Sequence, residues 1–247
     1  MTSQGQFRSR RTLAVIGTIA LLGALGFAAL GVWQLERLSW KTALIAAVDT
    51  RIHADPVDAG APAFWASFDP DTAEYQHASV TGHFDTTHET LVQAVTAYGA
   101  GFWVLTPLVS GAGTVLVNRG FVPPERRDPA THPAPEGEVT ITGLLRLTEP
   151  DGAFLRGNDP ADERWYSRDV TAIAAAKNLG PTAPFFLDAE RGPDPTAYPI
   201  GGLTVLSFSN NHLVYALTWF ALSAMLISAF GYVLWDRRGR RDRSTPT

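Results

Sequence analysis

Hydrophobic and polar positions are spread unevenly along this chain. From Thr12 to Leu35 the run TLAVIGTIALLGALGFAALGVWQL carries no charge, and from Leu213 to Trp235 the run LVYALTWFALSAMLISAFGYVLW again carries none. At 1.5 Å per residue each makes a helix of about 35 Å, enough to cross a hydrocarbon core of about 30 Å. A core helix of a soluble protein rarely runs this far without a polar face, so two transmembrane helices are predicted, at 12–35 and 211–235. After the first, Leu38, Thr42, Ile45, Val48 and Ile52 recur at three- and four-residue steps. That spacing extends the helix out of the membrane as an amphipathic arm over 36–54, until Pro56 and Pro62 break it.

The period then changes to two. EYQHASVTGHF (Glu74–Phe84), ETLVQAV, GFWVLTPLV, GTVLVNRGFV, GEVTITGLLRL and PFFLDAE are short β-branched or aromatic runs bounded by Gly, Pro and Asp, the pattern of strands. GAG at 111–113 reads as a hairpin turn; GAG at 99–101 also reads as a turn, since it lacks the third glycine and the following helix of a dinucleotide fingerprint. RDVTAIAAAKNLG is one helix, capped by Asp169 and stopped near Gly180. The expected fold is an α+β membrane protein. Two transmembrane helices flank a compact, mostly antiparallel β domain, a small barrel or curled sheet with one or two helices. Its β-rich core spans 74–190, and 191–210 links it to the second span.

Charge sets the expected orientation. Residues 36–211 hold 12 Lys/Arg against 22 Asp/Glu, a net of −10, while the outer tails 1–11 and 236–247 hold eight arginines against Asp236 and Asp242, a net of +6. Basic flanks stay cytoplasmic, so both termini are expected inside and the central domain outside, in the periplasm of a bacterial inner membrane. The arginines then serve as topology signals and lipid-headgroup contacts. An acidic central domain gives no electrostatic reason to bind nucleic acid. GFAALG offers small residues for signal cleavage, but the apolar segment exceeds the roughly 7–15 residues of a signal core, so an uncleaved anchor is expected. The eleven residues before it are too few for an organelle transit peptide. There is no cysteine, and methionine occurs only at positions 1 and 225. Thiol redox chemistry, thiolate metal sites and soft thioether copper ligation are thereby excluded.

Candidate chemistry is sparse. His77, His83 and His88 fall within a dozen residues, but His77 and His83 on one strand share a face about 20 Å apart. Only a bulge at Gly82 and a return of His88 on the next strand would gather a metal pair; otherwise they are solvated strand and turn histidines. No G-x-S-x-G, P-loop or H-E-x-x-H string occurs, so no catalytic residue is assigned. VNRGFVPPERRD places Arg119 at the end of an apolar strand, in a turn with Asn118 and Gly120. Arg119 either clamps a ligand carboxylate or propionate with its fork or holds loop carbonyls or a structural Asp, and Arg146 carries the same two alternatives.

NNHLVYALTWF opens the second span. His212, Tyr215, Ala216 and Trp219 share one helical face, and Asn210 or Asn211 can cap the helix. Tyr215 and Trp219 suit the interfacial aromatic belt. His212 is either part of that interfacial structure or, as a neutral imidazole facing a second helix, an axial ligand for heme iron beside aromatic rings and alanine-sized gaps. The spans should pack together, a stripe of Ala20, Ala24, Ala28 and Gly31 meeting gaps at Ala216, Ala224 and Ser228.

GVWQLERLSWK, GFWVLTPL, VNRGFVP, GLLRLTEP, WYSRDV and NNHLVYALTWF follow one another in this order. Together they resemble the Surfeit locus protein 1 family, assembly factors of heme–copper cytochrome c oxidase, from about Leu30 to Trp235. The resemblance implies a non-enzymatic membrane chaperone that binds heme a and helps deliver it into oxidase subunit I. His212 would be the proposed axial ligand, with Tyr215 and Trp219 beside the ring or at the interface, and Gly120 a sensitive position of the fold. No metal other than the heme iron is implied. Partners would be subunit I, other assembly factors, heme a synthesis enzymes and membrane lipid. One alternative is a scaffold that binds no heme and stabilises oxidase intermediates through its periplasmic domain. Another is an anchored hydrolase, which the missing nucleophile motif opposes.

Overall fold

The computed structural model describes residues 10–153, 156–205 and 210–242. They divide into two compact units: the helical ends of the chain, up to Ala46 and from Ser207 onward, and a β unit from Ala47 to Leu206. Arg8 and Arg243 of the basic tails, and residues 206–209 of the linker, lie outside the described residues.

Two helices make the first unit. Helix α1 (Arg10–Ile52) runs unbroken through the first apolar stretch and the amphipathic arm, and α5 (His212–Asp242) carries the second. Both are long and apolar enough to cross a membrane, and only 6% of the most apolar window of each is buried. That exposure suits lipid and not a soluble core, and the chain is a membrane protein. The small-residue stripe of α1 is where expected, with Ala24 and Gly31 buried and Ala20 and Ala28 partly so. Its counterpart on α5 differs from expectation. Ala216 and Ser223, seven residues apart, face inward, whereas Ala224 and Ser228 are exposed. Two helical turns take about seven residues, so a seam from Ala216 passes Ser223 and leaves position 224 about 100° round the helix.

Among the described residues the β unit has seven strands. β1 (Val57–Asp58) is followed by the short helices α2 (Pro62–Ala66) and α3 (Pro70–Ala73). Then come β2 (His77–Phe84), β3 (Thr90–Thr96), β4 (Gly99–Val109), β5 (Thr114–Val122), β6 (Glu138–Leu147), helix α4 (Val170–Lys177) and β7 (Thr182–Ala189). The spatial order is β1-β2-β6-β7-β5-β4-β3, and β2 pairs again with β4 through His83↔Val109 and Phe84↔Leu108. That second pairing closes β2, β6, β7, β5 and β4 into a five-stranded barrel. The β5–β7 pair is parallel and the other pairs of the ring are antiparallel.

The apolar runs follow from this arrangement. Val115, Val117, Phe185 and Leu187 point into the barrel with Val80, Leu108 and Leu145. Leu116 and Phe186 point the other way, into a second core with Val170 and Ile173 of α4 and with Trp165. Strands β5 and β7 are thus buried on both faces, so the period of two expected of them gives way there to continuous apolar segments. Asp169 caps α4 by accepting from the Ala172 N–H, and Asn178 ends it in the left-handed conformation.

Two expectations about glycine change. Gly82 makes no bulge: β2 pairs in register with β6 through Gly82↔Val139. A Cβ there would lie 2.2 Å from the Val109 carbonyl oxygen, so the glycine permits the close approach that shuts the barrel. The turn near position 99 is Ala97–Tyr98, and Gly99–Gly101 is already strand β4.

Candidate functional site

Strand β5 carries a bulge. Val104 pairs with Gly120 and Leu105 with Asn118, leaving Arg119 as the extra residue. The expected turn at 118–120 is therefore a kink inside a strand. Gly120 has φ +131°, and a Cβ there would meet the Ile200 carbonyl at 2.3 Å. Ile200 and Phe121 exchange backbone hydrogen bonds of 2.9 Å at this point, so the chain that leads toward the second helix is held against a position only glycine can fill.

The bulge sends its neighbours to opposite tasks. Arg119 donates to the carbonyls of His132 (3.0 Å) and Pro133 (2.6 Å) and to Glu89 Oε2 (3.3 Å). This is the loop-holding geometry among its two alternatives. Burial pushes the Arg119 guanidinium below its ordinary pKa, with Glu89 opposing. Glu89 also accepts from Thr106 and pairs with the fully buried His132 through Nε2 at 3.0 Å. A cavity of about 590 Å³ adjoins this group, lined by His83, Phe84 and the 129–137 loop.

Asn118 turns instead to Asp188, donating from Nδ2 at 2.7 Å. Asp188 is 5% exposed. It also accepts from Arg168 (3.0 Å), Thr204 (2.9 Å) and Arg146 (3.5 Å). Arg168 forks onto Glu149 as well, at 3.1 Å from Nε and 2.5 Å from Nη2, and lies over the Phe186 ring at 4.7 Å. Burial pushes Arg168 down, but Asp188 and Glu149 outweigh it and its pKa stands above the ordinary value. Burial likewise raises Glu149, yet the hydrogen bonds and charge of Arg168 carry it below the usual carboxylate range. Arg146 stands over the Tyr75 ring, within 3.7 Å of both Glu74 and Glu149. A cavity of about 210 Å³ opens beside this cluster, lined also by Trp103 and Gly201–Val205. The strings VNRG, GLLRLTEP, WYSRDV and PFFLD thus meet at one carboxylate. Every charge is answered by another, and the cluster fixes segments rather than activating a nucleophile.

The histidines of 77–88 do not assemble. His77 Nδ1 donates to the Ala54 carbonyl and its Nε2 lies 3.0 Å from Glu190. His88 sits in the turn Thr86–His88, held by Asp85, and His83 borders the larger cavity. No metal-ligating group of three occurs among the described residues.

In the helical unit His212 is the first residue of α5 and half-buried. Its Nδ1 lies 2.7 Å from Gln34 Oε1 on α1. Trp219 stacks on Phe27 at 5.5 Å, and Ala216 is 1% exposed. Tyr215 is 55% exposed and stands on the outer face. Gln34 was not singled out from the sequence; its signal was that of the only amide in the first apolar run.

Comparison with known proteins agrees with the motifs. The sequence profile of the SURF1 family matches residues 21–224. Surfeit locus protein 1 of Rattus norvegicus is 36% identical over 228 residues, covering 85% of this chain and 71% of that protein. The Homo sapiens protein of that name is 35% identical over 215 residues, covering 79% and 69%. A SURF1-like protein of Monosiga brevicollis is 34% identical over 227 residues, covering 85% and 83%.

Proposed function

The chain belongs to the SURF1 family of cytochrome c oxidase assembly factors, and from that premise we propose that it binds heme a through His212 and helps deliver it to oxidase subunit I. We place it in a bacterial inner membrane, with both termini cytoplasmic and the barrel in the periplasm. The role is that of a carrier and not of an enzyme.

The observation that carries this reading is the His212–Gln34 contact. A histidine in a membrane segment is costly unless it has a partner, and is by default a functional group. Here one ring nitrogen is engaged, and among the described residues no partner reaches the other, so Nε2 is the nitrogen that would meet iron. The neighbouring Leu213 and Tyr215 are half or more exposed and offer apolar and aromatic surface on which the farnesylated ring of the cargo would lie. Apolar burial would then supply most of the affinity. A single imidazole bond is exchangeable, as transfer to subunit I requires. Other assembly factors and the heme a synthesis enzymes are the expected neighbours before and after that transfer.

One observation favours the scaffold as a second reading. The hairpin joining β3 and β4 exposes Val95 (87%) and Tyr98 (51%), apolar side chains that a partner protein could cover. The two readings separate in one experiment. The full chain is co-expressed with heme a synthesis enzymes, purified in detergent, and its absorption spectrum compared with that of His212→Ala at equal yield. A heme a band in the parent that is lost in the variant supports carriage. No band in a folded parent that still supports oxidase assembly leaves the scaffold.

A further inference from the structure

We propose that Gln34 is a positioning residue for His212: its carboxamide oxygen holds the imidazole with the proton on Nδ1 and leaves the lone pair on Nε2. The heme arm of the test below rests on the reading of His212 just given; the tautomer itself does not.

A carbonyl oxygen only accepts, so at 2.7 Å from Gln34 Oε1 the Nδ1 atom must carry a hydrogen. A neutral imidazole has one such hydrogen, and the other nitrogen is then unprotonated. Gln34 is 9% exposed, although it lies in a run otherwise without amides or charges. An amide at that depth costs free energy unless it is paired, so it has little incentive to turn away from His212.

The surrounding contacts keep it there. One turn back, Gly31 lies so near the other helix that a Cβ would be 2.6 Å from the Phe220 ring. Two turns back, Phe27 stacks on Trp219. Farther along, the Ser223 hydroxyl donates to the Ala24 carbonyl at 2.8 Å. These contacts fix the separation and rotation of the pair, so the amide meets the imidazole without a search among rotamers. A ring held through one nitrogen presents the other in a set direction, the usual way in which an outer hydrogen bond tunes a metal-ligating histidine. Glu36 and Arg37, the nearest charges on α1, are exposed and leave this contact to the amide.

The test uses the full chain in detergent, labelled with nitrogen-15 histidine, with His212→Ala to assign the signals of that ring. In its neutral form the parent His212 should carry the proton on Nδ1 and leave Nε2 bare. Gln34→Leu should move it to the Nε2-protonated tautomer that unconstrained histidine favours, and Gln34→Glu, which keeps an acceptor, should keep the proton on Nδ1. Gln34→Met repeats the Leu arm with an unbranched chain, in case the first variant fails to fold. A parent protonated at Nε2, or folded Leu and Met variants identical to it, overturns the proposal. In a second arm hemin is titrated by its absorption. The apparent dissociation constant should rise about ten- to a hundredfold in Gln34→Leu and return toward the parent value in Gln34→Glu. If His212→Ala abolishes binding but Gln34→Leu leaves it unchanged, the positioning role is overturned. If the parent binds no hemin, the heme reading of His212 fails by itself, and the nitrogen spectra still decide the tautomer.

Discussion

Around Asp188 the barrel gathers Glu74, Arg146, Glu149 and Arg168, drawn from three separate stretches of chain, whereas the seam between the helices holds, near its mouth, an imidazole–amide contact and, deeper, a hydroxyl–carbonyl contact. The barrel cluster is redundant: Asp188 has four donors, and Arg168 has two carboxylates. At the mouth of the helix seam His212 has, among the described residues, one donor–acceptor contact, made through Nδ1. A polar group answered several times over is a rivet, and a group answered once, with capacity left, can take a ligand. The difference gives the barrel the character of a fixed support, and it is on the helices that the proposed exchange of heme would take place.

The largest effect expected is at the rivet. Asp188→Ala leaves Arg168 and Asn118 short of a buried partner, and should cost about 3–5 kcal/mol in chemical unfolding of the full chain followed by tryptophan fluorescence. A loss near zero would mean that the cluster is not what ties the barrel together. The pH dependence sharpens the same point. Glu149 has a folded pKa below its unfolded one, so its stabilisation is complete above the ordinary carboxylate range and is lost as pH falls through the folded value. Unfolding midpoints should be flat through neutrality and drop below about pH 4. The drop should be shallower in Glu149→Gln. The smallest effect is in the helix seam, where Ser223→Ala removes one hydrogen bond to the Ala24 carbonyl and should weaken the helix pair by about 0.6 kcal/mol, measured as a shift in detergent-induced dissociation of the seam. An effect as large as that of Asp188→Ala would erase the contrast between the units.

Local signals in the sequence carried much of this. The two uncharged runs, the strand segments between His77 and Ala189 and the Asp169 cap each depend on neighbours within a few residues, and the elements they predict are present, with β4 beginning earlier than expected, at Gly99, and β5 and β7 buried on both faces. What stayed hidden depends on distant pairs. Closure of the barrel rests on two pairings between β2 and β4, and PFFLD shows nothing of the fact that Asp188 meets Asn118 seventy positions away. Gly120 was legible as a position that needs glycine, but not as part of a bulge, because a bulge is defined by the partner strand. On the helices the Ala24–Gly31 stripe was read from its own spacing, while its counterpart required the true phase of α5, which replaced Ala224 and Ser228 by Ser223. His212 stood out as a histidine at the edge of an apolar run. Gln34, as ordinary in type as any surface amide, drew notice only once the two helices were side by side.

The central claim is that cargo passes through His212, and the most direct test is the heme a content of oxidase subunit I in cells lacking the native protein. Those cells would carry either the parent chain or His212→Ala at matched membrane levels, with the barrel shown to be folded in both. The account predicts subunit I that is fully loaded with the parent and depleted of heme a with His212→Ala. Subunit I loaded equally well with the variant would contradict it and make the protein a scaffold.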